Sequence, residues 1–517
     1  MKFKYYSQDE LDLFPIEIYA EIPKNDICRF INEIVNELNL EELESIYSEE
    51  GNIAYHPRMM LKVIFYSYYN GVFSSRRIAK ELERNIFFWY LSARQRPDFR
   101  TISNFRKRHI KQLKGLFRQI VNICISMGIA NVRKVAIDGT KIKASANRDK
   151  FRDKEWFDKI LKEEEDAIDR AFNKMEEIDE EEDKLYGYDK RGDELPENLQ
   201  DPKERIRKIR ELQKKMEEGM KKSINETDPE CELMKTRHGY EPAYNCQTVV
   251  DTESQIILTE DVIACPEESG QIQANIDILM KETGLKPGIV LADAGYLNGG
   301  DLQYLNGEGI TGLIADKEMR KIKKEREGVI DEDQKYKKDQ FKYDVERDEY
   351  ICPDGKKLIR IFKKNQKVKR KNGLEVEYMQ YQCLECGDCI NIEKCCRSKK
   401  NRNITRYEDE ELRVKMHDLL RSDWGYETYK ARMCTNEPVF GNIKYNKRFS
   451  EFHLRGLTNV KGEFTMMAIV HNLEKMWKKM GNNPLKTECR SSLIQYQLLN
   501  YLFLFYYRYF KLNLIRL

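Results

Sequence analysis

Between Tyr429 and Lys444 the chain reads Tyr-Lys-Ala-Arg-Met-Cys-Thr-Asn-Glu-Pro-Val-Phe-Gly-Asn-Ile-Lys. A ring, a guanidinium, a carboxylate and an ammonium fall within a few helical turns. Tyr429 and Arg432 are three positions apart and would share a helix face. Glu437 takes a neighbouring flank, and Lys444 returns to nearly the same azimuth as Glu437 if the helix continues. Pro438 lacks a backbone donor and crowds the carbonyl four residues earlier, which predicts a kink or break just after Glu437. A carboxylate among cations and an aromatic ring suits metal-assisted chemistry on a phosphodiester. The same pattern also describes an ordinary solvated helix face.

Two further carboxylates sit where strands should end. Lys134-Val-Ala-Ile-Asp138-Gly-Thr-Lys141 and Pro287-Gly-Ile-Val-Leu-Ala-Asp293-Ala-Gly-Tyr296 each read as an apolar strand closing on an aspartate. Either aspartate could simply cap a turn. If both end in one sheet, their carboxylates can meet, and at about 4 Å in an effective dielectric of about 20 they repel by on the order of 4 kcal/mol. A divalent cation removes that cost, and two ions about 4 Å apart suit an in-line displacement at phosphorus.

The elements that must hold these groups follow from periodicity. Residues 1–128 read as helical: Ile27, Phe30, Ile31 and Ile34 recur at helical spacing, His56-Pro57 opens a helix to Tyr69, Ser74 or Ser75 caps one reaching Arg84, and Asp98 or Thr101 caps a basic one. Short helices with exposed base suit a helix-turn-helix-like DNA-binding module, or an ordinary helical bundle with a basic surface. Strands follow at 243–250 and 255–262, turned through 251–254, with helices over 271–283 and near 301 and a strand over 310–314. The result is a mixed α/β layer. Two charged interruptions divide it. Residues 148–237 read as a helical hairpin, and 317–403 end in Cys383-x2-Cys386-x2-Cys389-x5-Cys395-Cys396 after Cys352-Pro-Asp-Gly. This spacing fits tetrahedral thiolate ligation of a structural Zn²⁺ by Cys352, Cys386, Cys389 and Cys395, with Cys383 or Cys396 as substitutes; free thiols or a redox-labile cluster are the alternatives. Residues 481–517 form an aromatic tail too interrupted by polar groups for a membrane span.

The 517 residues carry a formal net charge of only +3 and thirteen cysteines. That excludes a histone-like polycation but not a nucleic-acid enzyme with clustered base. The odd cysteine count and the lack of a secretory apolar region near Met1 predict a reducing, cytoplasmic setting.

Taken in order, these motifs resemble the bacterial insertion-sequence transposases of the DDE type, in the branch with a Tyr-x2-Arg…Glu-x6-Lys signature. The resemblance rests on Tyr429, Arg432, Glu437 and Lys444, on Asp138-Gly-Thr-Lys141 and Ala292-Asp293-Ala-Gly-Tyr296, and on Arg455-Gly456 and His471-Asn-Leu473. It also rests on Gly71-x2-Ser74-Ser75-Arg76 and Pro97-Asp98-x2-Thr101-Ile102-x2-Phe105-Arg106, and spans roughly residues 15–480. Four residues separate Arg432 from Glu437, where the best-known form of the signature has three. The resemblance implies an α/β fold with a ribonuclease H-like catalytic core (129–147, 238–316 and 404–480). Around that core it implies an all-α helix-turn-helix-like DNA-binding domain (1–128), a charged helical insertion (148–237) and a Cys-rich, zinc-ribbon-like insertion (317–403). It also implies two Mg²⁺ ions, for which Mn²⁺ may substitute, held by Asp138, Asp293 and Glu437. Water then attacks a phosphodiester at each element end, and the freed 3′-hydroxyl attacks the next strand or the target. Tyr429, Arg432 and Lys444 are implied as DNA-end contacts, with Ser75, Arg76 and Arg106 as DNA contacts of the N-terminal domain. The expected partners are double-stranded DNA with terminal inverted repeats, target DNA and a second copy of the chain in the DNA complex, without a membrane, in the cytoplasm at the nucleoid. A silent DNA-binding regulator, or a metal-dependent nuclease without strand transfer, would share many of these residues.

Overall fold

The computed structural model describes residues 17–47, 54–167, 170, 197–315, 319–327, 336, 338–361, 367–369, 375–387, 389–396 and 401–481. The aromatic tail beyond Gly481, most of the acidic stretch in the first insertion and residues 397–400 after the Cys-rich run therefore lie outside the described residues.

Helices dominate the N-terminal region: α1 (Ile27–Glu37), α2 (Pro57–Tyr69), α3 (Ser75–Arg84), α4 (Phe99–Arg108) and α5 (Ile110–Ser126). Their starts follow local chemistry. Asp26 accepts from the Cys28 amide (2.7 Å), Asp98 accepts from the Thr101 amide (2.7 Å), and Pro57 occupies a first-turn position where its missing N–H costs nothing.

The chain then enters a six-stranded sheet: β1 (Lys134–Lys143), β2 (Glu232–Thr236), β3 (Gly239–Asp251), β4 (Ile257–Ile263), β5 (Ile289–Ala292) and β6 (Thr311–Ile314). Helix α6 (Gln271–Thr283) connects β4 to β5, and α7 (Gly299–Gly307) connects β5 to β6. Strand β3 runs antiparallel to β1 on one side and to β2 and β4 on the other. On its far side β1 pairs in parallel with β5, which pairs in parallel with β6. The β3–β4 pairing shifts register between Val249 and Val250.

A second sheet, antiparallel throughout, holds β7 (Lys342–Asp344), β8 (Glu349–Ile351), β9 (Lys357–Ile361), β10 (Glu375–Cys383) and β11 (Asn403–Tyr407), with a short strand Lys367–Lys369 at one edge. Its separate core contains Phe341, Tyr350, Leu358, Tyr381 and Ile404. In the first insertion, residues 154–167 and Glu197–Glu218 are helical, with a small cluster of Phe157, Met216 and Ile224.

The last elements are α8 (Asp423–Lys430), α9 (Met433–Gly441), a π-helical turn Asn442–Asn446, and α10 (Leu457–Lys479). The break expected after Glu437 is absent; a turn at Ala431–Arg432 instead separates α8 from α9, with the Arg432 amide donating back to the Tyr429 carbonyl (3.0 Å). Pro438 stays inside α9 because the carbonyl it leaves without a partner, that of Cys434, accepts instead from Gln255 Nε2 (2.8 Å). Helix α10 is buried on nearly every side over most of its length and packs on α5, α2 and β4. One continuous core therefore joins the N-terminal helices to the sheet. Phe464, Met467 and Leu473 lie wholly within it, each burial contributing about 1.5–3 kcal/mol.

Candidate active site

Strand register brings the two aspartates level. Ala136 pairs with Leu291 across parallel β1 and β5, so two residues further on Asp138, within β1, and Asp293, just past the end of β5, stand level on the same face. One guanidinium lies between them. Arg432 Nη2 is 3.0 Å from Asp138 Oδ2 and 3.4 Å from Asp293 Oδ2. Each aspartate also accepts from a nearby amide, Asp138 from Gly139 (2.9 Å) and Asp293 from Gly295 (2.8 Å). Burial pushes the Asp138 carboxyl up to about 6 against the opposing pull of Arg432, and Asp293 adds to the rise. Burial also opposes the Arg432 charge, but Asp138, Tyr429 and Asp293 outweigh it and hold this guanidinium above its usual range.

Glu268, a carboxylate that motif reading missed, completes the surroundings. It pairs with Lys141, and its oxygens come close to both strand-end glycines. A Cβ on Gly139 would stand 3.0 Å from Glu268 Oε1, and one on Gly295 2.8 Å from Oε2. Gly139 is also required by β3: an added Cβ would meet Gln247 Nε2 at 2.3 Å and Asn245 Oδ1 at 2.8 Å. Both of these buried amide atoms lack a partner among the described residues, while Gln247 Oε1 accepts from the Tyr296 hydroxyl. The only signal for Glu268 in the sequence is an acid just before α6, a position that ordinarily marks a helix start.

The remaining predicted residues fall in three groups. Tyr429 lies beside Arg432 but is only 8% exposed, so its ring offers little open face. Lys444 Nζ donates to the Lys141 carbonyl (2.7 Å), which anchors the π-helical turn to β1. Glu437 is exposed on α9, which packs on β1 and β3; among the described residues its carboxylate has no hydrogen bond or ion pair. The structure brings Asp138, Asp293, Arg432 and Tyr429 into one cluster and leaves Glu437 outside its bonds.

In the N-terminal helices, Arg106 and Ser75 face inward, against the expectation of a DNA-contacting pair. Arg106 is 3% exposed and donates to the Phe73 carbonyl (2.7 Å), the Tyr68 hydroxyl (3.1 Å) and Ser75 Oγ (2.6 Å). Burying a guanidinium demands such partners, and its one nitrogen without a partner among the described residues, Nε, is buried away from any phosphate. Arg76 is exposed and lies over the Phe99 ring (5.2 Å to the centroid).

Cys352, Cys383, Cys386, Cys389, Cys395 and Cys396 line a single small cavity beside β9. Among the described residues, however, no group of three or more His, Cys, Asp or Glu side chains is placed to hold a metal ion. The zinc expectation finds no support here. Burial pushes the Cys383 thiol up to about 11 and the Cys395 thiol up to about 12.

The chain matches two family models. Residues 351–477 match the Transposase DDE domain, and residues 16–108 match the Transposase domain (DUF772). Together they indicate an insertion-sequence DDE transposase. The first match takes in Tyr429, Arg432, Glu437 and Lys444 together with most of the Cys-rich sheet, and the second takes in Ser75, Arg76 and Arg106. Asp138 and Asp293 lie between the two matched stretches. No curated protein and no solved structure matches the chain significantly. Among the described residues, no helix is long and apolar enough to cross a membrane.

Proposed function

We propose that this chain binds the ends of its own insertion sequence and catalyses divalent-metal-dependent DNA strand cleavage and strand transfer at a ribonuclease H-like core. The reading is supported above all by the convergence of Asp138 and Asp293, from adjacent parallel strands, on one cation. The sheet order β4-β3-β1-β5-β6, antiparallel through β1 and parallel beyond it, agrees with such a core.

Asp138 and Asp293, with Glu437 brought in from α9, are the residues that would hold Mg²⁺ or Mn²⁺. Two members of the donor set fit: Asp138 and Asp293 already share a cation, the protein's own guanidinium, while among the described residues no third acid joins them. Bound metal would supply a nucleophilic oxygen and charge neutralisation at the leaving oxygen. Arg432, released from the aspartates, reaches for a DNA phosphate as a bidentate donor. Lys444 stiffens the end of β1, and Glu268 keeps Lys141 neutralised beside the scissile position. Partnership with inverted-repeat and target DNA, a dimeric complex and nucleoid localisation belong to the same proposal.

Asp138→Asn and Asp293→Asn test it on duplex DNA carrying an element end. Mg²⁺-dependent nicking falls below detection in each variant while duplex binding stays within a few-fold of the parent. Normal nicking by either variant removes the site assignment.

A further inference from the structure

The hairpin joining β2 to β3 extends beyond the strand that carries Asp138. β1 ends its pairing at Lys143 opposite Ala243, while β3 continues back to Gly239, opposite Thr236 of β2. Gly239 takes the turn at φ +105°, a conformation that side chains disfavour. Lys235, Arg237, His238 and Tyr240 are all exposed at this tip.

A second element meets the hairpin there. Tyr445, in the π-helical turn, is 61% exposed; its ring faces the Arg237 guanidinium (5.7 Å to the centroid), and Arg237 Nη1 donates to its hydroxyl. The preceding residue, Lys444, is fastened to β1 at Lys141. Burial, with smaller contributions from Arg237 and Lys141, holds the Lys444 ammonium below its usual range. The acids in reach are engaged elsewhere: Glu241 accepts from Thr236 Oγ1, and Glu268 pairs with Lys141. Among the described residues, neither Arg237 nor Lys235 has a carboxylate partner. An exposed ring aligned with an unneutralised guanidinium matches the chemistry of a nucleic-acid strand, with phosphate for the cation and a flat base for the ring.

We infer that Arg237 and Tyr445 form a clamp on the DNA flanking the scissile position, with Arg237 on a backbone phosphate and Tyr445 against a base or sugar. This inference rests on the proposed function of the Asp138–Asp293 site. The distance fits a duplex. Asp138 pairs with Thr248, nine residues along β3 from Gly239; at about 3.3 Å per residue the tip stands about 30 Å away. With 3.4 Å between base pairs, that is about nine pairs, within one duplex turn.

The test uses the full chain and a fluorescein-labelled duplex taken from the DNA flanking the coding sequence. Arg237→Ala weakens binding about tenfold at moderate salt and lowers the slope of log K against log salt by about one. Tyr445→Ala weakens binding about tenfold, and Tyr445→Phe, which keeps the ring, retains parental affinity. Hydroxyl-radical footprints of both alanine variants lose protection within one turn of the cleaved bond. Unchanged affinity and slope in both variants overturn the clamp, as does lost protection confined to more distant positions. Equal competition by a polyglutamate peptide of the same charge also overturns it, because the surface would then be a generic acid-binding face. If the parent chain binds no duplex, the proposed function fails and the clamp fails with it; if the parent binds and the variants match it, only the clamp fails.

Discussion

Two clusters in this molecule are built from the same three kinds of side chain. Arg106, Tyr68 and Glu463 meet where α4, α2 and α10 cross, and Arg432, Tyr429 and the two aspartates meet beside the middle of β1. In the first, the guanidinium donates to three acceptors, the Tyr68 hydroxyl lies 3.4 Å from Glu463 Oε1, and Glu463 Oε2 accepts the amides of His453 (2.9 Å) and Leu454 (3.0 Å). In the second, one nitrogen of Arg432 serves both acids, and Asp293 remains 37% exposed. In both, the guanidinium Nε has no partner among the described residues. The first cluster is closed to solvent, with Arg106 only 3% exposed. The second has an opening through which a further group can reach its acids. Residue type alone does not separate a structural lock from a chemical site; exposure of the acids does.

Perturbing the closed cluster should cost the most stability. Arg106→Ala leaves the Phe73 carbonyl, the Tyr68 hydroxyl and Ser75 Oγ without this donor and buried Glu463 without its nearby cation, and should destabilise the chain by about 3–5 kcal/mol, read by chemical denaturation. A loss under about 1 kcal/mol would place this cluster alongside the open one.

A titratable part of the same interior gives the next largest effect. Burial pushes the His471 imidazole down to about 4; its Nε2–H donates to the Gln255 carbonyl (2.9 Å), and Nδ1 accepts from Asn442. The unfolded chain binds this proton near pH 6.5 and the folded chain does not, so stability falls as pH drops from about 6.5 towards 4, by about 3 kcal/mol in total. His471→Gln should flatten that window in urea titrations taken at stepped pH. An unchanged slope would remove the histidine from the acid response.

The open cluster should respond to ions instead. Arg432→Gln leaves two carboxylates facing each other, which lowers stability by about 1–2 kcal/mol in metal-free buffer. Added Mn²⁺ should then raise the thermal midpoint more in the variant than in the parent. Equal shifts would mean that the guanidinium does not occupy the cation position. Arg76→Ala, on the exposed face of α3, should change stability by less than about 0.5 kcal/mol; a larger loss would show that the basic surface also has a structural task.

The fold was legible wherever periodicity and termini spoke together. Helix Gln271–Thr283 matches its expected limits, and the strand before Asp293 closes on its acid as expected, whereas the strand carrying Asp138 runs on past it to Lys143 because β3 continues to pair with it. What stayed hidden depends on partners remote in sequence. Pro438 predicts a break that Gln255 cancels, and Arg106 reads as a surface cation until Phe73, Ser75 and Tyr68 enclose it. Glu268 has an unremarkable local setting and acquires meaning only from Lys141 and the glycines opposite. The cysteine spacing promises a metal centre, but spacing cannot say where folded sulfurs stop. Convergence of the aspartates was legible because register follows from the strands themselves.

Gln255 occupies the turn between β3 and β4 at φ +60°, where its side chain reaches Cys434 and Lys475 and its carbonyl reaches His471. One amide in a strand reversal thus helps to hold the proline-containing rod that bears Glu437. Shortening that residue would loosen this tether while leaving both aspartates where they are.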